Sequence, residues 1–391
     1  MSTGAIAGEE IASKTRREKR FTIDGSLELE RWLTELCEEA GNAVRKVVSP
    51  NVLDGMLLGG GYGRGEGGVL RTEGGDRAYN DLEFYLLLDG PSLLVERQYQ
   101  PHLHECAEKL SAEAGIDVEF KACSVGKLRR SGPSMFYYDL VMGHRWVIGS
   151  DALLQGCEHH RNAKLIPASE ATRLLMNRCS GLLFARECLV RPSFNTQDAD
   201  FVGRNISKAE LALGDVVLTV HGQYHWSCLE RNRRLKTVVD DAPWLPQAQE
   251  FHDQGVAFKL RPVRTIASRD ELWERWERVA RVALSAWLWL ESRRLEKPFR
   301  TAEQYALYAE NKCPEVPVTR AVFANARAKR WDAVLRYPRD RVLSSLPALL
   351  WCWHDLPEPG ILAAVQKQLG TSAVDFSNLV AEYKHLWSTV N

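Results

Sequence analysis

A glycine-rich segment between two apolar stretches restricts the folds open to this chain more than any other feature. Residues 59–68 read GGGYGRGEGG, so seven of ten positions are glycine. The segment follows the apolar residues 56–58 and precedes the β-prone stretch 80–89, which reads NDLEFYLLLD. Glycine at this density lets the backbone turn sharply and point several N–H groups at an anion. The sequence therefore predicts two strands joined by a loop that binds phosphate.

The segments around this loop predict an alternation of helices and strands. Ser26 is a suitable N-cap, and apolar side chains then recur at helical spacing until Pro50 stops the helix. Residues 94–114 are predicted as a helix, and residues 116–125 and 144–150 as strands. The predicted order is helix, strand, glycine loop, strand, helix, strand.

The second half of the chain changes character and predicts helices only. Amphipathic stretches recur there, several of them separated by prolines. The predicted helices cover residues 169–190, 205–230, 270–296, 318–335, 341–353 and 374–389. We therefore predict a disordered tail at 1–20, a domain with a sheet at 21–156 and a helical domain at 157–391.

Charge and apolar content limit the partners and the cellular location that we expect for the chain. The 51 basic and 51 acidic residues cancel, so no net positive charge favours nucleic acid as a partner. The nine cysteines form no CxxC pair, which argues against a disulfide framework. The longest apolar run, 282–290, is too short to cross a bilayer, and the N-terminus lacks the apolar core of a signal peptide. We expect a cytoplasmic protein with no membrane partner.

Two pairs of acidic residues are candidates for a metal site. Asp81 and Glu83 lie two positions apart on a predicted strand, so both carboxylates point to one face. Such a pair is repulsive unless a cation lies between its members. Asp117 and Glu119 share a face of the next strand in the same way, and the sequence leaves open which of them completes the cluster. Oxygen ligands favour Mg²⁺ or Mn²⁺, and paired ions of this kind serve displacement at phosphorus.

These motifs and their order resemble the DNA polymerase β superfamily of nucleotidyltransferases. Minimal members carry a motif close to G-S-x-A-R-G-E-A, followed by S-D-x-D-L. Here Gly60 and Gly61 stand at the Gly-Ser pair, Arg64 begins the Arg-Gly-Glu match, and residues 80–83 match S-D-x-D. The similarity covers roughly residues 27–156.

Three departures from the family pattern are visible. Gly61 replaces the usual serine, and Glu83 replaces the commoner second aspartate. The segment between Gly60 and Asp81 is also longer than in the compact members. An Asp-x-Glu pair occurs among active members of the superfamily, so Glu83 is compatible with activity.

The resemblance implies a fold class, an activity and a site. The implied fold class is α+β, a polymerase β-like mixed sheet with flanking helices followed by an all-α C-terminal domain. The implied activity is transfer of a nucleoside monophosphate from an NTP such as ATP to a hydroxyl acceptor, with release of pyrophosphate. Asp81, Glu83 and the third acid would hold two Mg²⁺ or Mn²⁺ ions. Gly60, Gly61 and Arg64 would orient the triphosphate.

The resemblance leaves the partners of the domain open. Helices that follow the catalytic domain in this superfamily sometimes reach the triphosphate through a lysine, and Lys208 is the candidate here. The acceptor is a small molecule, a protein or RNA, and the neutral net charge favours the first two. The alternative is a catalytically reduced domain of the same fold that senses nucleotides or neutralises a toxin. Such modules tend to lose metal ligands, so the filled acidic positions favour an enzyme.

Overall fold

The chain divides into two units in the structure, a computed structural model that describes residues 20–327, 334–354 and 358–390. The first unit runs to Asn162 and also contains the short segments His225–Cys228 and Lys259–Val263. The second unit contains the remaining residues. The predicted disordered tail lies, apart from its last residue, outside the described residues.

The first unit is built around a mixed sheet. Its elements, in chain order, are α1 (Leu27–Val47), β1 (Leu53–Leu58), α2 (Gly60–Arg64), β2 (Val69–Thr72), β3 (Gly75–Ala78), β4 (Leu82–Leu88), α3 (Ser92–Ala114), β5 (Val118–Ser124), α4 (Val125–Arg130), α5 (Met135–Met142) and β6 (Arg145–Ile148). The strand order in the sheet is β5-β4-β1-β6, with β5 parallel to β4 and the other pairs antiparallel. The α+β class is confirmed, and the predicted helices and strands correspond in order to α1, β1, β4, α3 and β5, with further elements between β1 and β4.

The two faces of this sheet have different neighbours. Side chains alternate along a strand, so Phe84 and Leu86 point to one face and Tyr85 and Leu87 to the other. The first pair belongs to a core that contains the buried residues of α1 and α3. The second pair belongs to a smaller core with residues of α4 and α5. Glu83 shares its face with Tyr85, and so it lies on the side of the smaller core.

Local capping signals explain where α1 begins. Ser26 accepts a hydrogen bond from the Leu29 backbone N–H, and Glu28 and Glu30 lie in the first turn. Glu30 also turns back to accept bonds from the backbone N–H groups of Phe21 (2.8 Å) and Thr22 (3.0 Å). The helix therefore anchors the chain segment that leads into it.

The glycine-rich segment is more ordered than the predicted open loop. Gly60 and Gly65 have φ values of 60° and 79°, and between them the chain makes the short helix α2. The added length before Asp81 forms the hairpin β2–β3. The sequence prediction missed this hairpin, because Gly75–Ala78 contains none of the β-branched or aromatic residues that mark a strand.

A buried tyrosine organises the glycine-rich segment. Tyr62 is fully buried, and its hydroxyl donates to the Gly68 carbonyl at 2.8 Å and accepts from the Tyr79 N–H at 2.9 Å. Burial raises the pKa of Tyr62 to about 12, so the hydroxyl keeps its proton at neutral pH. These bonds tie the base of the hairpin to α2 and fix the start of β4.

The second unit consists of helices. They are α6 (Ala168–Val190), α7 (Thr196–Val220), α8 (Cys228–Leu235), α9 (Leu245–Leu260), α10 (Arg269–Arg294), α11 (Ala302–Leu307), α12 (Val318–Arg327), α13 (Arg339–Trp351), α14 (Pro359–Leu369) and α15 (Phe376–Val390), of which α8 and α9 each have one end in the first unit. None of the described helices combines the length and apolar character that crossing a bilayer requires.

Several helix predictions for this half need correction. The predicted helix at 205–230 is confirmed only in its first part, because α7 begins earlier, at Thr196, and ends at Val220, after which Gly222 adopts a φ of 64°. Helices α9, α11 and α14 were not predicted. The predicted helix at 318–335 overlaps α12, and its residues 328–333 lie outside the described part of the chain.

The second unit buries a carboxylate that has several hydrogen-bond partners. Glu291 is fully buried and accepts bonds from Thr172 Oγ1 (2.6 Å), Tyr305 OH (2.8 Å) and Arg294 Nη2 (2.6 Å). Lys312 is also fully buried. The contacts of Glu291 show how the helical core accommodates this charge, because the carboxylate is surrounded by polar donors.

Candidate metal centre

Two parallel strands bring acidic side chains to the same place. In the register of β4 and β5, Glu83 pairs with Glu119 and Tyr85 pairs with Lys121. Neighbouring strands lie about 4.8 Å apart, so paired side chains on one face are close together. Asp81 comes one residue before β4, where the Leu82 N–H donates to the Asp117 carbonyl at 2.9 Å. The parallel pairing therefore places carboxylates from both strands side by side.

Three carboxylates form the resulting cluster. One oxygen each of Asp81, Glu83 and Glu119 lies within 4.8 Å of the others. Glu83 is half-buried, whereas Asp81 and Glu119 are exposed. Asp117, the other candidate for the third acid, is not part of this group among the residues that the structure describes. The geometry thus brings Glu119 to the predicted pair.

A lysine that the sequence prediction missed lies within this cluster. Lys121 Nζ is 2.7 Å from Glu83 Oε1 and 2.7 Å from Glu119 Oε2. The Tyr85 hydroxyl donates to Glu83 Oε1 at 3.3 Å. Lys121 lies two positions after Glu119 on the same strand, so the alternation of side chains was a signal for it. With three carboxylates and one ammonium, the cluster carries an excess of negative charge.

The charges in the cluster perturb one another. Loss of surrounding water raises the pKa of the Asp81 carboxyl, and the nearby charges of Glu83 and Glu119 raise it further, although the residue as a whole is exposed. For Lys121, partial burial lowers the pKa, but hydrogen bonds to Glu119 and Glu83 outweigh this effect and raise it. Both shifts indicate a site that favours additional positive charge.

The glycine turn borders the carboxylate of Glu83. The Gly59 N–H donates to the Glu83 carbonyl at 2.9 Å, which fixes the turn against β4. A Cβ atom on Gly60 would lie 3.0 Å from Glu83 Oε2 and would crowd it, so glycine keeps this side of the carboxylate open. Gly61 differs, because a Cβ there would meet the Glu66 carbonyl at 3.0 Å. Of the two predicted glycines, Gly60 is the one beside the acids.

The other residues of the glycine motif make contacts within the first unit. Arg64 Nη1 donates to Asp139 Oδ2 on α5 at 2.5 Å, and the Arg64 side chain is largely buried. Glu66 is buried and accepts bonds from Ser227 Oγ (2.5 Å) and the Cys228 N–H (2.8 Å). These partners are far away in sequence, so no local pattern indicates them. The assignment of Arg64 to the triphosphate stays a prediction.

Lys208, the remaining predicted residue, belongs to the second unit. It lies on α7 and is exposed. Its contact with a triphosphate stays a prediction.

An open groove of about 600 Å³ adjoins the cluster along the outer edge of β5. Glu119 and Lys121 line it together with Asp117, and α3 contributes His104 and Glu108. Acidic side chains therefore extend from the cluster into the groove.

The donor set suits a hard divalent cation. Three carboxylates offer only oxygen ligands, the chemistry that Mg²⁺ and Mn²⁺ favour.

Comparison of the chain with protein-family models and with curated proteins finds no match. The chemistry of the site therefore has to be inferred from the residues themselves.

Proposed function

We propose that the first unit is a metal-dependent nucleotidyltransferase domain, which moves a nucleoside monophosphate from an NTP to a hydroxyl acceptor and releases pyrophosphate. The observation that carries the proposal is the group of Asp81, Glu83 and Glu119 on two parallel strands, next to the turn at Gly60. The motif resemblance to the polymerase β superfamily supports the same assignment.

Each residue of the cluster has a distinct part in this proposal. Asp81, Glu83 and Glu119 hold Mg²⁺ or Mn²⁺. Bound ions of this kind supply Lewis acidity toward phosphate oxygens and the acceptor hydroxyl. Gly60 leaves the side of the Glu83 carboxylate open for a triphosphate. Lys121 offsets part of the negative charge while the carboxylates have no other cation.

The local charge favours one class of acceptor. Glu108, Asp117 and Glu119 line the groove beside the cluster, and they would repel the phosphates of a long nucleic acid. A small molecule or a protein segment that presents a hydroxyl group is therefore the proposed acceptor, and RNA is the less favoured one.

The test is pyrophosphate release from each of the four NTPs in the presence of Mg²⁺ or Mn²⁺. A cell extract, separated into small-molecule and macromolecular fractions, supplies the acceptors. We expect release with one fraction and its loss in Asp81→Asn. The matched control is Asp54→Asn, which removes an exposed carboxylate on β1 outside the cluster. Release that is equal in both variants and the wild type would contradict the proposal.

A second candidate function has its own observation. Lys121 already balances part of the cluster charge, which is what a nucleotide-binding module without turnover would tolerate. This reading predicts metal-dependent NTP binding that is lost in Asp81→Asn, without pyrophosphate release from any NTP. The same protein samples therefore separate a transferase from a sensor or a toxin-neutralising partner.

A further inference from the structure

The cluster contains two unequal places for a cation. The first lies between Glu83 and Glu119, where the Lys121 ammonium contacts one oxygen of each at 2.7 Å. The second lies at Asp81, which has one carboxylate oxygen within 4.8 Å of an oxygen of Glu83 and of Glu119. The Glu83 oxygen that Lys121 does not contact, Oε2, faces the turn at Gly60. Lys121 directs its hydrogen bonds to the glutamates, and its effect on Asp81 is electrostatic only.

A divalent ion and the ammonium cannot share the first place. Mg²⁺ requires oxygen ligands at about 2.1 Å, closer than the contacts that the ammonium makes. An ion that joined Glu83 to Glu119 would therefore occupy the space of Lys121 Nζ, and the two positive charges would repel each other. The second place is not subject to this conflict.

Lys121 is able to leave without burying its charge. Its side chain is 43% exposed, so the ammonium can turn into solvent on its flexible stem. Lys121 Nζ also lies 5.6 Å from the centroid of the Tyr85 ring, a partner that remains when the glutamates are taken. Displacement is thus sterically open, and its main energetic term is the loss of two ion pairs.

We propose that Lys121 is a built-in competitor for one of the two divalent ions, so that the site loads its ions unequally. The first ion binds beside Asp81 and Glu83, and the second binds only by displacing Lys121 from between Glu83 and Glu119. This inference rests on the proposed function, because it takes the three carboxylates as metal ligands. It makes the fully loaded site dependent on a higher metal concentration than the first binding step.

The experiment is a Mn²⁺ titration of the full chain, with free Mn²⁺ measured by electron paramagnetic resonance. In the wild type we expect one ion to bind and a second to bind at least about tenfold more weakly, which corresponds to 1.4 kcal/mol. In Lys121→Met, which has a neutral side chain of similar length, the affinity for the second ion should rise by about the same factor. Lys121→Arg keeps the charge and should retain the weak second step.

The outcomes separate the two proposals. Two equal ions in the wild type, or an unchanged second step in Lys121→Met, would overturn the role of Lys121 and leave the metal site standing. Absence of binding in every protein would overturn both. Circular dichroism checks the fold, and Lys121→Gln replaces Lys121→Met if the latter does not fold. We expect Asp81→Asn to lose binding of the first ion, which would assign that ion to the cluster.

Discussion

Carboxylates in the two units are treated in opposite ways. In the helical unit, Glu291 is fully buried and accepts hydrogen bonds from a threonine, a tyrosine and an arginine. In the sheet unit, Asp81, Glu83 and Glu119 lie close together, the Lys121 ammonium contacts only the two glutamates, and two of the three acids remain exposed. The buried carboxylate of Glu291 is fully hydrogen-bonded, whereas the cluster in the sheet unit has an excess of negative charge.

The difference indicates what each arrangement contributes. A buried carboxylate with full hydrogen bonding is part of the core, and removing it leaves its partners buried without a counter-charge. A cluster with excess negative charge opposes folding slightly, and it is retained where binding or catalysis needs it. We therefore expect changes of carboxylates in the sheet unit to lower turnover with little loss of stability, and changes of carboxylates in the helical unit to lower stability.

The largest expected effect is on turnover. Glu83→Gln removes a charge from the metal ligands, so kcat/KM for pyrophosphate release should fall by about 10³-fold. Glu291→Gln, measured under conditions where it remains folded, should leave that rate nearly unchanged. Similar loss of turnover in both variants would end the distinction between the two carboxylate environments.

The next effect is on stability. Glu291→Ala leaves the Arg294 guanidinium, which is 7% exposed, without its closest counter-charge, and also removes the acceptor of Thr172 and Tyr305. We expect the free energy of unfolding to fall by about 3–5 kcal/mol. Urea denaturation followed by circular dichroism measures it, and a decrease below about 1 kcal/mol would show that Glu291 behaves as a surface charge.

A third prediction concerns pH and the buried Lys312. Its ammonium donates to the Tyr308 carbonyl (2.7 Å) and to Ser344 Oγ (2.8 Å), yet burial lowers its pKa to about 8 from an ordinary value of 10.5. Arg336 adds to this shift, whereas Asp340 and Glu291 oppose it. Between pH 8 and 10.5 the unfolded chain binds a proton that the folded chain has released.

The stabilising contribution of Lys312 should therefore rise with pH across this window, by on the order of 3 kcal/mol. The measured quantity is the difference in unfolding free energy between wild type and Lys312→Met, which cancels the titration of the tyrosines and cysteines common to both. A difference that is constant from pH 7.5 to about 10.5 would mean that Lys312 keeps its ordinary proton affinity.

The smallest effect has the opposite sign. In buffer with a chelator, Asp81→Asn relieves repulsion from Glu83 and Glu119, so the protein should be unchanged or more stable by up to about 1 kcal/mol. Asp54→Asn is the control for a general effect of removing negative charge. A clear loss of stability in Asp81→Asn alone would assign Asp81 to the structure of the loop and weaken its functional role.

The sequence predicts the parts of this molecule that depend on local pattern. The order of helix, strand and glycine turn follows from periodicity, and the acids at 81 and 83 follow from their spacing. The choice between Asp117 and Glu119 does not follow from local pattern, because it depends on the register between two strands that are separated by a helix. The apolar pattern of a strand fixes which face its residues occupy, but Asp117 and Glu119 share a face, so the pattern does not distinguish them.

Long-range partners are the other part that the sequence does not provide. The side chain of Arg64 is engaged by Asp139, and that of Glu66 by Ser227, in both cases through contacts between distant segments. A motif match assigns such residues to a ligand by analogy, whereas folding assigns them a neighbour by packing. Lys121 shows the intermediate case, since its face was predictable from alternation and its two partners were not.

The hydrogen bonds of the Tyr62 hydroxyl have a practical consequence for labelling the protein. Because the base of the β2–β3 hairpin is tied to α2, its exposed tip at Gly74 and Gly75 is mechanically separate from the start of β4. A Cβ atom on Gly75 would have no neighbour within 4 Å. A short peptide tag or a fluorophore inserted at this tip should therefore be tolerated and should leave the carboxylates where they are.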